Sequence, residues 1–213
     1  MREKFQSDLD AIAGQMVEMA DAVRTAIRRA SAALLHSDAE QAAAVVADDA
    51  QVDAYYRQVE ERIYEVIARQ APVASDLRLV LTALHIAGDL ERMGDLADHV
   101  AKIGLRRDPA PAVPEELTGT IREMAKVADE MAGKISRVLA TPNLARATEL
   151  ERDDDAMDDL HRRLLTTLLD PSWQHGVEAA VDLALLGRFY ERYADHAVNA
   201  GRRVIHLLTG EPA

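Results

Sequence analysis

Apolar residues recur along this chain every three or four positions, in six long stretches, and hardly anywhere at every second position. The first stretch runs from about Phe5 to His36, with Leu9, Ile12, Met16, Met19, Val23, Ile27 and Leu34 on one helical face. Ser37-Asp38 supplies a break and a capping residue. A second helix is predicted from about Ala39 to Gln70, through Val45, Val52, Val59 and Ile63. Pro72 stops it, since proline lacks an N–H and clashes with the preceding turn. Ser75 or Asp76 is placed to cap a third helix reaching about Leu105. Arg106 to Pro114, with prolines at 109, 111 and 114, reads as the linker. The scheme then starts again. Helices are predicted over about Glu115 to Leu139, Ala145 to Leu169 and Trp173 to Leu208, with breaks at Thr141-Pro142-Asn143 and Asp170-Pro171 and a stop at Gly210.

Helices of this length joined by short turns make antiparallel neighbours. The expected fold is all-α: two tandem antiparallel three-helix bundles, residues 1–107 and 115–210, arising by internal duplication. Composition supports helix over strand, with 48% hydrophobic residues, only 4% aromatic, and no Asn-Gly or Asp-Gly hairpin turn. The net charge of −12 argues against nucleic-acid binding, which needs Lys and Arg on phosphates, and suits cations or a basic protein surface. With no cysteine there is no disulfide, thiol nucleophile or zinc–thiolate site. The first residues lack the apolar core of a signal peptide, and no apolar run is long enough to span a bilayer. The expectation is a cytoplasmic protein that meets a membrane only through partners.

The charge pattern adds a repeated acidic motif. Glu91-Arg92-Met93-Gly94-Asp95 in the third helix returns 100 positions later as Glu191-Arg192-Tyr193-Ala194-Asp195. Asp49 and Asp53 in the second helix return 105 positions later as Asp154 and Asp158. Helical phase puts Glu91, Asp95 and Asp98 within about 60° of one another, in line with Leu77, Val80 and Leu84. Asp53 lies as far before Pro72 as Glu91 lies after it, and Asp49 and Asp95 are likewise matched. An antiparallel hairpin therefore levels the two pairs. The same holds for Asp158 with Glu191 and Asp154 with Asp195.

Four ionised carboxylates at close range repel, and relief comes from protons or from cations. Carboxylate oxygens favour hard ions such as Mg²⁺, Ca²⁺ or Mn²⁺. Acid clusters across facing helices also hold iron or manganese pairs. His99 and His196, beside the acids on other faces, would widen the choice to iron or zinc. A lone Glu-x-x-x-Asp is ordinarily a solvated face, but four level pairs on apolar stripes make Asp49, Asp53, Glu91, Asp95, Asp154, Asp158, Glu191 and Asp195 candidate metal ligands. Arg92 and Arg192 are expected to reach neighbouring helices or a partner. Within Asp153-Asp154-Asp155 only Asp154 is expected to point inward. No phosphate-cradling Gly-rich loop, nucleophile elbow or Glu-x-x-His di-iron pattern is present, which weakens a catalytic reading.

These residues resemble the PhoU family of bacterial phosphate-uptake regulators. The likeness spans nearly the whole chain. It rests on Ser75-Asp76-Leu77-Arg78, on Asp89 to Asp95, on Arg188 to Asn199, and on the Arg2-to-Phe5 opening before a long amphipathic helix. The resemblance implies a non-enzymatic cytoplasmic regulator that restrains phosphate uptake and the phosphate-starvation response. It would act, and affect transcription indirectly, through the ATPase subunit of the phosphate ABC transporter and a sensor histidine kinase. It also implies homodimers and divalent or trivalent metal ions (iron, zinc, manganese or magnesium) on the signature acids. The halves differ where Asp98-His99 is matched by Val198-Asn199, so two metal sites would differ. Two other readings stay open: a carboxylate-bridged di-metal enzyme, and a purely structural helical scaffold.

Overall fold

The computed structural model describes residues 2–210, the side chain of Arg2 aside; the expected start of the first repeat at Met1 lies outside them. Six helices follow one another: α1 (Arg2–His36), α2 (Ala39–Gln70), α3 (Ser75–Arg107), α4 (Glu115–Ala140), α5 (Leu144–Leu168) and α6 (Gly176–Thr209). Among the described residues there is no strand. Helices α1–α3 form one antiparallel three-helix bundle and α4–α6 another.

Local chemistry explains most boundaries. The Asp38 carboxylate accepts from the Gln41 N–H and caps α2; Asn143 does the same for α5 through the Arg146 N–H. These caps stand 105 positions apart, as the duplicated acids of α2 and α5 do. Two expected starts are corrected. Helix α3 begins at Ser75, so neither Ser75 nor Asp76 caps it; Ala74 stands at the cap and makes no side-chain bond. Ala71 and Ala74 both take positive φ, 43° and 50°, because the turn around Pro72 is too short to reverse the chain otherwise. Helix α6 begins at Gly176 rather than Trp173. Asp170 to Trp173 forms a turn, and the Trp173 indole N–H donates to the Gly176 carbonyl. Gly176 has φ 80°, which suits glycine before a helix.

The bundles share one continuous core. Helix α3 packs on α6 and α1 on α4 across the junction. Tyr190 and Tyr193 of α6 are fully buried; Ser31 and Tyr190 hydroxyls are 2.7 Å apart, and the Tyr193 hydroxyl donates to the Val23 carbonyl. Arg24 of α1 makes a two-pronged pair with Asp129 of α4. Asp89 of α3, only 8% exposed, accepts from Arg203 and faces His196 at 3.1 Å, both on α6. Asp182 of α6 accepts from Arg106 and Arg107 at the end of α3. The proline-rich connection is accordingly no free tether: Ala112 and Val113 within it are buried in the core.

Candidate functional site

Antiparallel packing of α2 on α3, and of α5 on α6, places the duplicated acids in two grooves. Glycine allows the close approach. A Cβ on Gly94 of α3 would stand 2.8 Å from a Val52 methyl on α2. On α6, Gly187 and Gly201 play this part against Leu164 and Leu150.

In the first groove Asp49, Asp53, Glu91 and Asp95 are all half-buried. Burial, then the charges of Asp98, Asp53 and Asp95, pushes the Asp49 carboxyl above its ordinary range. Burial, then Asp95, does the same for Glu91, against the pull of Arg92. Asp98 is a fifth acid of this set. It is 4% exposed and has Lys102 Nζ 2.5 Å from one carboxylate oxygen. Its other oxygen is buried without a hydrogen-bond partner. Asp49 and Asp98 also wall a cavity of about 360 Å³ between α1, α2 and α3, which Arg29, Asp48 and Tyr55 line as well.

In the second groove Asp154, Glu191 and Asp195 are half-buried and Asp158 is exposed. Burial, then Asp195 and Asp158, raises Asp154 to about 6. Burial and Asp195 raise Glu191 too. Asp154 Oδ1 and Glu191 Oε2 are buried and accept no hydrogen bond. Such oxygens, in a set of mutually repelling carboxylates, are suited to a hard cation. As the side chains stand, no three His, Asp or Glu groups among the described residues converge closely enough to hold one ion.

Arginines partly neutralise both sets. Contrary to the expectation that it reaches away, Arg92 spans Glu91 at 3.4 Å and Asp95 at 2.7 Å on its own helix. It can do so because its long side chain folds back over one turn. In the second groove Arg188, one turn before Glu191, bonds that carboxylate. His196 is drawn to Asp89 and away from the acidic groove. His99 bonds its own helix at the Asp95 carbonyl and packs at a tilt against Phe189, 5.1 Å between ring centres.

The structure adds a duplicated ion pair that sequence reasoning missed. Arg29 of α1 meets Asp48 of α2 at 2.6 Å, and Lys134 of α4 meets Asp153 of α5 at 2.7 Å. Both partners are displaced by 105 positions, so the repeat offset contained the signal. Asp153 is therefore a half-buried partner of α4, not a solvated acid, because α4 lies on that side of α5. His161 also borders the second groove, its pKa lowered by burial and then by Arg188, with Asp158 opposing.

Comparison with known proteins is consistent along the chain. Residues 16–104 and 121–204 each match the PhoU domain model. The chain is 44% identical over 210 residues to the phosphate-specific transport system accessory protein PhoU homolog 2 of Mycobacterium tuberculosis, covering 99% of both. It is 34% identical over 214 residues to the PhoU homolog of Deinococcus radiodurans, again covering 99% of both. The crystal structure of PhoU from Pseudomonas aeruginosa superposes with a TM-score of 0.86 at 24% identity, covering 97% of this chain and all of that one. The phosphate transport system regulatory protein PhoU from Streptococcus pneumoniae gives 0.87 at 22% identity, with 98% and 99% covered.

Proposed function

The chain belongs to the PhoU family, and from that premise we propose that it is a cytoplasmic negative regulator of phosphate uptake and of the phosphate-starvation response. The observation that carries this reading is 44% identity over 99% of the chain to a relative named as a phosphate-specific transport system accessory protein, with the acidic signature present in both repeats of this chain. The protein acts by binding rather than by catalysis. Its partners are the ATPase subunit of the phosphate ABC transporter and a sensor histidine kinase, and it works as a homodimer. No helix among the described residues is long and apolar enough to cross a membrane.

The acidic grooves serve this role as cation sites. Asp49, Asp53, Glu91 and Asp95 would hold ions in the first repeat, and Asp154, Asp158, Glu191 and Asp195 in the second. Unpartnered oxygens on Asp154 and Glu191, and on Asp98 beside the first set, support the assignment. A bound cation supplies the charge that Arg92 and Arg188 supply only in part, and it frees those guanidinium groups for a partner's carboxylates. The acids then set how much positive charge each groove presents.

Deletion of the gene in its source organism tests the regulatory role. A phosphate-starvation reporter in high phosphate should rise on deletion and fall again when the gene is restored. Unchanged repression in the deletion strain would sink it. Elemental analysis of the purified protein tests the cation sites. Glu91→Ala with Asp95→Ala should remove the metal of the first repeat while the second retains its own; equal metal content in variant and parent would reject the assignment.

A further inference from the structure

Helices α3 and α6 are counterparts in the two repeats, and the start of each lies against the end of the other. Their contact therefore has two ends, which the 100-residue offset interchanges. The charges at the two ends differ. Where α6 starts, Asp182 accepts from Arg106 at 2.9 Å and from Arg107 at 2.6 Å, and Glu178 lies 3.5 Å from Arg107. Two arginines meet two carboxylates, and charge is balanced within the chain.

Where α3 starts, both acids are replaced. The position of Glu178 is Arg78, that of Asp182 is Thr82, and that of Arg106 is His206. A crevice of about 580 Å³ opens there, with Arg78, Thr82, His85, Arg203 and His206 among its walls. None of the lining residues is an acid, on a chain of net charge −12. Arg78 and His85 are exposed, and Arg78 makes no ion pair among the described residues. Asp89 takes the Nε–H of Arg203, one of the five N–H donors that a guanidinium carries. The negative charge that balances this contact at its other end is missing here.

We propose that this crevice binds a phosphate group, free or carried as a monoester, in the place that Glu178 and Asp182 fill in the other repeat. Those carboxylates bring two negative charges. A phosphate monoester brings nearly as much on one centre, with three acceptor oxygens, whereas a single carboxylate brings half. Arginine forks bond such oxygens in pairs, and the His85 ring offers a further N–H. Leu77 and Leu81 are also walls, which suits an ester with an apolar body. None of the acids of the two grooves lines this crevice.

Isothermal titration of the full chain with inorganic phosphate, phenyl phosphate and benzoate tests this. No partner or reporter enters the measurement, so its failure would leave the regulatory reading untouched. Both phosphates should saturate at one site per chain, and benzoate should bind about tenfold more weakly than phenyl phosphate. Tighter binding of phenyl phosphate would identify an ester as the source, and equal binding free phosphate; either upholds the site. Arg78→Glu puts the acid of the other repeat at an exposed position and should abolish saturation. Arg122→Glu, at an exposed position of α4 outside the crevice, changes net charge equally and should leave binding intact. His85→Ala should weaken binding several-fold, and it decides the matter if Arg78→Glu fails to fold. Absent saturation, benzoate as tight as phenyl phosphate, or equal loss in Arg122→Glu would each overturn the proposal. So would binding that the folded variants at 78 and 85 retain in full. Loss of binding in EDTA would place the phosphate on metal in the grooves and also overturn it.

Discussion

Asp154 reports what four acids in one groove do to one another. Its carboxyl is raised from the ordinary 3.8 to about 6, first by burial and then by Asp195 and Asp158. For an acid whose folded value lies above its unfolded value, the stabilising contribution is complete below the unfolded value and is lost as pH rises through the folded one. The metal-free protein should therefore melt at higher temperature at pH 5 than at pH 7, and Asp154→Asn should narrow the difference; melts in EDTA at the two pH values check this. Glu91, Asp49 and Glu191 shift in the same direction and add to the effect. Asp89 is a contrasting acid, buried but satisfied by Arg203 and close to His196. Asp89→Ala removes the acceptor of the Arg203 guanidinium and the neighbour of the His196 ring. The expected loss is about 2–3 kcal/mol, discounted from a fully buried pair because Arg203 is partly exposed, and urea unfolding measures it.

Two glycines on α3 show how the elements are brought together. Gly88 has nothing within 4 Å of where its Cβ would be, so it costs helix propensity with no packing return. Gly88→Ala should raise stability by about 1 kcal/mol. Gly94, six residues on, has a Val52 methyl 2.8 Å from that point. Gly94→Leu should lower stability by about 2 kcal/mol or more, since α2 and α3 must part or Val52 must leave its rotamer. Denaturant midpoints of the two variants should move in opposite directions. Separation of α2 from α3 would also spread Asp49 and Asp53 from Glu91 and Asp95, so Gly94→Leu should bring the raised Asp49 and Glu91 carboxyls back toward their ordinary values, as carboxyl-selective NMR titration would read.

At the scale of the whole molecule the two repeats behave as one body. Buried tyrosines, the Arg24–Asp129 pair, and the pairs made by Asp89 and Asp182 all cross between repeats. The connection that the sequence marks as a linker buries Ala112 and Val113. Calorimetry of the intact chain should accordingly give one cooperative transition, with calorimetric and van't Hoff enthalpies equal. Two resolved transitions would mean that the core between repeats contributes little. If ions occupy both grooves, saturating Mn²⁺ should raise that single transition and EDTA should reverse the rise.

The order of elements was legible in the chain because long amphipathic helices announce themselves by period, and Pro72, Asp38 and Asn143 mark where they stop and start. The level pairing of the acids was legible too, since an antiparallel hairpin fixes height by counting from its turn. Side-chain direction and neighbours beyond the hairpin were not. Arg92 turns back onto Glu91 and Asp95, and His196, which helical phase puts on another face than the acids, meets Asp89 of α3, a partner that only the packing of the two helices decides. The Lys134–Asp153 pair required knowing on which side of α5 the fourth helix lies. The positive φ of Ala74 follows from closing a turn between two packed helices, not from a preference of alanine. By itself the sequence determined six helices, a duplication and two matched acidic sets, all set by local periodicity and spacing. The tertiary structure alone decided that the repeats share a core, and which acids keep an unpartnered oxygen, because each depends on contacts between residues far apart in the chain.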